Sequence, residues 1–139
     1  MSRGWLIDTN IVSEWVKPRP DAGIVSWLDA ADEDRIFLSV VSLAEIRFGV
    51  ERLAPGRRRD RLDLWLRDEL PARFEGRVVR VDEQVADACG RLLARARRVG
   101  RGLGAMDALI AATCLASDLA LATRNIGDFD ELDLKLFAP

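Results

Sequence analysis

The chain has 139 residues, 49% of them hydrophobic and 32% charged, with a formal net charge of −2. That balance fits one ordinary globular domain, residues 1–139, with a core that needs no staples. Histidine and tyrosine are both absent. Their absence excludes a Ser-His-Asp triad, a His general base and a His metal site, and leaves carboxylates, a metal-bound water, Lys or Cys for acid–base work.

The two cysteines, Cys89 and Cys114, lie far apart in apolar helical patterns. They read as small core residues in a reducing compartment. With no CxxC pair, zinc has no support. No signal peptide and no span of ~18 apolar residues is visible, so the expected location is cytoplasmic, with no membrane role. Of 21 basic residues 19 are Arg, which suits phosphate recognition and equally fits a GC-rich genome.

The first element is Trp5-Leu6-Ile7, a short apolar run that reads as a buried strand. It breaks into Asp8-Thr9-Asn10 at the carboxyl end, where open α/β sheets bind ligands. The plain alternative is that Asp8, Thr9 or Asn10 simply caps the helix Ile11–Val16. Lys17-Pro18-Arg19-Pro20 stops that helix. Asp21 then caps a second one, carrying Ile24, Val25, Trp27 and Leu28, and Ile36–Ser39 reads as the second strand.

Val41–Leu53 reads as a helix with Leu43, Ile46, Val50 and Leu53 as its apolar stripe. Glu45 lies off that stripe between Ser42 and Gly49, two small neighbours that would leave room over a carboxylate. The alternative is a solvated glutamate near Arg52. After Ala54-Pro55-Gly56 come Arg57, Arg58, Arg59 and Arg61, then an amphipathic helix with Leu62, Leu64, Trp65, Leu66 and Leu70. Such a basic run is usually a solvated helix start, with an RNA or partner surface as the sharper option. Val78–Val81 reads as the third strand, and Asp82 after it as a simple helix start. The next helix runs to about Arg98, with Val85, Cys89, Leu92 and Leu93 inward and Arg91, Arg95 and Arg98 outward.

Gly100–Gly104 is a break without the GKT or GKS of a nucleotide loop. Ala105–Ala116 follows as the least polar helix, and a helix apolar nearly all round is a buried one. Its only charge, Asp107, aligns with Ile110, Ala111 and Cys114 and needs a counter-charge there; the alternative is a carboxylate favoured by the helix dipole. Leu119–Ala122 is the fourth strand. It breaks into Thr123-Arg124-Asn125 much as the first breaks into Asp8-Thr9-Asn10. Ile126–Phe129 reads as a turn aiming Asp128 back at that edge, and Leu134–Phe137 as a last short strand.

Asp8, Glu45, Asp107 and Asp128 thus sit at ends of elements in a βα pattern, which can converge them. Like charges so placed raise one another's pKa, and a divalent cation removes that problem. All-oxygen ligands select Mg²⁺ or Mn²⁺ over zinc. Thr9, Asn10, Thr123 and Asn125 are neutral groups for phosphate or water, and Arg124 can offset phosphate charge.

Leu6–Asn10, Ser42–Gly49, Asp107–Thr113 and Thr123–Phe129, in this order and spacing, resemble the PIN domain, above all the VapC-type toxins of bacterial toxin–antitoxin pairs. The resemblance spans Leu6 to about Leu136. It implies a three-layer α/β/α sandwich on a central parallel sheet and a Mg²⁺- or Mn²⁺-dependent endoribonuclease. It implies Asp8, Glu45, Asp107 and Asp128 as catalytic metal ligands, with Thr123 and Asn125 as polar neighbours. The implied partners are a structured RNA such as tRNA or rRNA, a second copy of the chain, and an antitoxin that blocks the pocket in a larger assembly. One departure is Gly104, where the family often has a proline three residues before the third acid.

A haloacid dehalogenase phosphatase would need a second carboxylate at position 10, which is Asn10, and a late lysine; a response-regulator receiver fails similarly. The remaining rival is a PIN fold that grips RNA or protein without cutting.

Overall fold

The computed structural model describes residues 3–130 and 132–139. Five parallel strands form one sheet in the order β3-β2-β1-β4-β5. They are β1 Trp5–Ile7, β2 Ile36–Ser39, β3 Val78–Val79, β4 Ala120–Ala122 and β5 Leu136–Phe137. The helices are α1 Thr9–Val12, α2 Ala22–Ala30, α3 Val40–Glu51, α4 Arg57–Leu64, α5 Leu70–Arg73, α6 Glu83–Arg98, α7 Ala105–Ser117 and α8 Ile126–Phe129. Ser13–Val16 and Glu33–Arg35 are 3₁₀ turns, and Trp65–Glu69 is a π-helical stretch joining α4 to α5.

Alternation along the strands makes two cores. Leu6 and Leu121 face a core shared with Val85, Leu92, Ile110 and Ala111 of α6 and α7. Ile7, Ile36, Leu38 and Ala122 face the other, with Ile11, Leu28, Ile46, Trp65 and Phe74. Each buried aliphatic side chain contributes about 1.5–3 kcal/mol. Both sheet faces are therefore covered, as the expected sandwich requires, and this is why the strands read as unbroken apolar runs. Gly4 opens β1 because nothing larger fits: an added Cβ would lie 2.1 Å from the Arg35 carbonyl oxygen.

The third strand is shorter than Val78–Val81, covering Val78 and Val79 alone. The segment Ile126–Phe129 is a single helical turn rather than an irregular one. The buried face of α3 is Val41, Ser42, Ile46 and Val50, with Leu43 and Leu53 half-buried. Val41 enters one core and Ile46 and Val50 the other, so the buried stripe is wider than one sequence face. Asp82 caps α6 by accepting from the Val85 N–H at 2.9 Å.

The sheet order places the switch point between β1 and β4. From β1 the chain winds out through β2 to β3, then returns to lay β4 and β5 on the other side. Connections leave β1 and β4 in opposite directions there and open a crevice at the strands' carboxyl ends. Ile7 is in register with Ala122, so Asp8 and Thr123 emerge side by side.

Candidate active site

Asp8 stands in extended backbone at the end of β1 and caps α1. One carboxylate oxygen accepts the Thr9 N–H at 2.8 Å and the other accepts the Thr123 hydroxyl at 2.8 Å. Its backbone N–H continues the β1–β4 ladder to the Ala122 carbonyl at 2.9 Å. The capping role and the crevice position are therefore both real. Asp8 is 6% exposed. Burial pushes its carboxyl up from 3.8 to about 6; the Thr123 and Thr9 hydrogen bonds pull the other way, and the charges of Glu45 and Asp107 add to the rise.

Glu45 comes from the first half of α3 and accepts the Thr9 hydroxyl at 2.8 Å. That hydroxyl lies 2.9 Å from the Ser42 hydroxyl. A carboxylate only accepts, so the one Thr9 proton goes to Glu45 and the Ser42 proton closes the chain onto Thr9. Glu45 is not a glutamate solvated beside Arg52, whose guanidinium instead lies over the Phe48 ring at 5.3 Å. Gly49, one turn on, leaves open space: a Cβ there would meet nothing within 4 Å.

Asp107 is half-buried in the first turn of α7, whose cap residue Gly104 offers no side chain. Burial raises its pKa, and the charge of Asp128 raises it further. On the same helix, burial and the charge of Asp8 push the Cys114 thiol up; the thiol is an inert core group beneath the crevice. Asp128 is exposed on α8, where its N–H bonds the Asn125 carbonyl at 3.0 Å. The Arg101 guanidinium secures α8 by donating to the Gly127 carbonyl at 2.8 Å.

Thr123, fully buried, is the hub of the neutral groups. Besides donating to Asp8, its hydroxyl accepts from the Asn10 side-chain amide at 3.3 Å and the Asn125 N–H at 3.1 Å. Asn10 in turn accepts the Arg124 N–H at 3.2 Å. Asn125 and Arg124 are exposed.

The four carboxylates feel one another in sequence: Asp8 with Glu45 and with Asp107, and Asp107 with Asp128. They do not close on each other. Among the described residues, no three Asp, Glu, Cys or His side chains are gathered as a ready-made metal cage. The donor set is nonetheless that of a hard cation: carboxylate oxygens, with the Asp8 and Asp107 carboxyls raised in pKa and no histidine in the chain. Carboxylate oxygens of this kind suit a hard divalent ion in chemistry.

A family model described as PIN domain matches residues 5–135. The chain belongs to the PIN-domain family. This PIN domain is 35% identical over 134 residues to toxin FitB of Neisseria gonorrhoeae, covering 96% of each chain. It is 33% identical over 134 residues to VapC ribonuclease Y4jK of Sinorhizobium fredii, again covering 96% of each. The crystal structure of FitAcB from Neisseria gonorrhoeae superposes with a TM-score of 0.90, 35% identity and 97% coverage of both chains. That of FitAB bound to an IR36 DNA fragment gives 0.89 and 33%, over 96% of this PIN domain and 93% of the other chain.

Ser42, read from the sequence as a small neighbour of Glu45, is fully buried and hydrogen-bonded to Thr9. Glu14 was not singled out by sequence: it is buried, at 1% exposed, and besides the neighbouring Lys17 it pairs with Arg124, 110 residues away.

Proposed function

We propose that this PIN domain is a Mg²⁺- or Mn²⁺-dependent endoribonuclease and the toxin of a toxin–antitoxin pair. The observation that carries the proposal is the placement of Asp8 at the switch-point crevice, bonded to Thr123 of the adjacent strand's exit and joined through Thr9 to Glu45 of α3. The names of the relatives, FitB toxin and VapC ribonuclease, support it.

Asp8, Glu45, Asp107 and Asp128 would hold the cation. When bound, it supplies a Lewis acid for the phosphodiester and lowers the pKa of water. The chain's own residues do the placing. Thr123 and Thr9 fix Asp8 so that both its oxygens keep one orientation. Thr9 and Ser42 fix Glu45. Asn10, Asn125 and Arg124 line the rim, with amide and guanidinium groups suited to phosphate oxygens. The substrate in this reading is a structured RNA such as tRNA or rRNA.

The solved relatives FitAcB and FitAB bound to DNA support an antitoxin partner and a larger assembly; a homodimer within it is part of the proposal. Purified protein freed of antitoxin, incubated with total bacterial RNA and Mg²⁺ or Mn²⁺, is the test. Discrete cuts that vanish with chelator and in Asp8→Asn are expected. RNA binding without cutting would leave the silent binding module instead.

A further inference from the structure

Glu14 is a carboxylate in a place where a carboxylate is costly. It sits in the 3₁₀ turn Ser13–Val16, 1% exposed, beside the apolar cluster of α1 and α2. A buried charge persists only when paired and hydrogen-bonded. One of its oxygens accepts the Asp21 N–H at 2.8 Å, tying it to the cap of α2. The other accepts both the Lys17 ammonium and the Arg124 guanidinium, the latter at 3.0 Å. Burial pushes the carboxyl up, but the Lys17 and Asp21 hydrogen bonds and the Lys17 and Arg124 charges outweigh it, so Glu14 stays ionised.

Capping α2 needs only one oxygen. The second reaches across the crevice to Arg124, the residue between Thr123 and Asn125. That three-residue segment is thus held at three points. Thr123 bonds Asp8, the Arg124 N–H bonds Asn10, and the Arg124 guanidinium bonds Glu14. Among the described residues one guanidinium nitrogen is used, and the Arg124 side chain is still 42% exposed. Two cations share one carboxylate, so the rim keeps a net positive charge beside the acidic cluster. A guanidinium fixed on one edge presents its remaining N–H groups as a rigid fork, the geometry that matches a phosphate.

We propose that Glu14 is a positioning residue: through its ion pair it holds the Arg124 guanidinium at the Asn10 side of the crevice as a preorganised binder of an RNA backbone phosphate. The inference rests on the RNA-cleaving reading of the site and adds to it the residue that orients the strand. Preorganisation acts through binding, so the effect falls mainly on KM.

The test compares wild type with Glu14→Gln, Arg124→Ala and the double variant. Cleavage of total bacterial RNA is measured together with affinity for total bacterial tRNA in calcium without turnover, each at several salt concentrations. Arg124→Ala is expected to weaken binding about tenfold and to flatten the salt slope by about 0.7–0.9, one phosphate contact. Glu14→Gln removes a negative charge near an anionic ligand. General electrostatics alone would then tighten binding; the proposal expects it to weaken about threefold to fivefold, because the fork is released. In the Arg124→Ala background Glu14→Gln should cause no further loss, since the loss runs through one contact. Tighter binding in Glu14→Gln, or losses that multiply in the double variant, would overturn the proposal. Should Glu14→Gln fail to fold, Glu14→Asp withdraws the carboxylate from Arg124 while keeping its charge, and the same outcomes decide. Wild type that binds tRNA but cuts no RNA refutes the nuclease and leaves the binding comparison to judge Glu14; wild type that neither binds nor cuts refutes both.

Discussion

At Asp8 each carboxylate oxygen has a donor within 2.8 Å, supplied by Thr9 and Thr123. At Asp107 and Asp128, in the same acidic cluster, neither carboxylate accepts a hydrogen bond among the described residues. The difference follows from what carries each group. Asp8 and Thr123 leave adjacent parallel strands in fixed register, so the sheet itself sets their separation. Asp107 sits at the start of a helix behind a glycine-rich break, and Asp128 on a single exposed turn. One half of the site is built by the fold. The other half is open, and under the proposed function a cation would organise it.

The largest expected effect comes from breaking the built half. Asp8→Asn should lower RNA cleavage by more than about 10²-fold, as losing one preorganised electrostatic partner does. Stability should move the opposite way. Asp8 binds its proton more tightly folded than unfolded, so its stabilising contribution is complete below pH about 4 and lost as pH rises through about 6. At pH 8, metal-free Asp8→Asn should therefore be more stable than wild type by up to about 3 kcal/mol, a gain that fades toward pH 4 in denaturant melts. An unchanged or lower stability at pH 8 would mean that Asp8 is not strained by its burial.

Next comes the hub. Thr123→Val removes the donor to Asp8 and the acceptor for Asn10 and Asn125. It should cost about 1–3 kcal/mol of stability and about 10–100-fold in metal affinity, as losses of groups that orient ligands do. Calorimetry of Mn²⁺ binding and a denaturant melt check both. Asp128→Asn should be milder than either. Thermal stability should stay within about 0.5 kcal/mol, as for an exposed substitution, while cleavage falls by less than in Asp8→Asn. A large loss of stability there would show that the outer half is built into the fold as well.

The same contrast explains what the sequence made legible. Asp8 and Thr123 stand where apolar runs stop abruptly, so strand ends and polar exits could be read together. Asp107 was visible as the single charge on an apolar helix. Glu45 was visible only by its small neighbours, and its tie to Thr9 spans 36 residues, beyond any local pattern. Glu14 was hidden because its second cation, Arg124, lies 110 residues away and only the folded crevice brings it to the local pair with Lys17 and the Asp21 N–H. On α3 the stripe of Leu43, Ile46 and Val50 holds, and Ser42 joins the buried face because its hydroxyl closes the Thr9–Glu45 chain. The π-helical stretch at Trp65–Glu69 departs from a helix the apolar spacing reads as regular.

The central claim is that a built half and an open half share one divalent cation. Calorimetric titration of the antitoxin-free protein with Mn²⁺ tests it most directly, in wild type, Asp8→Asn and the double variant Asp107→Asn with Asp128→Asn. The account predicts saturable binding in wild type, none in Asp8→Asn, and strongly weakened binding in the double variant. Binding of wild-type strength in either variant would contradict it.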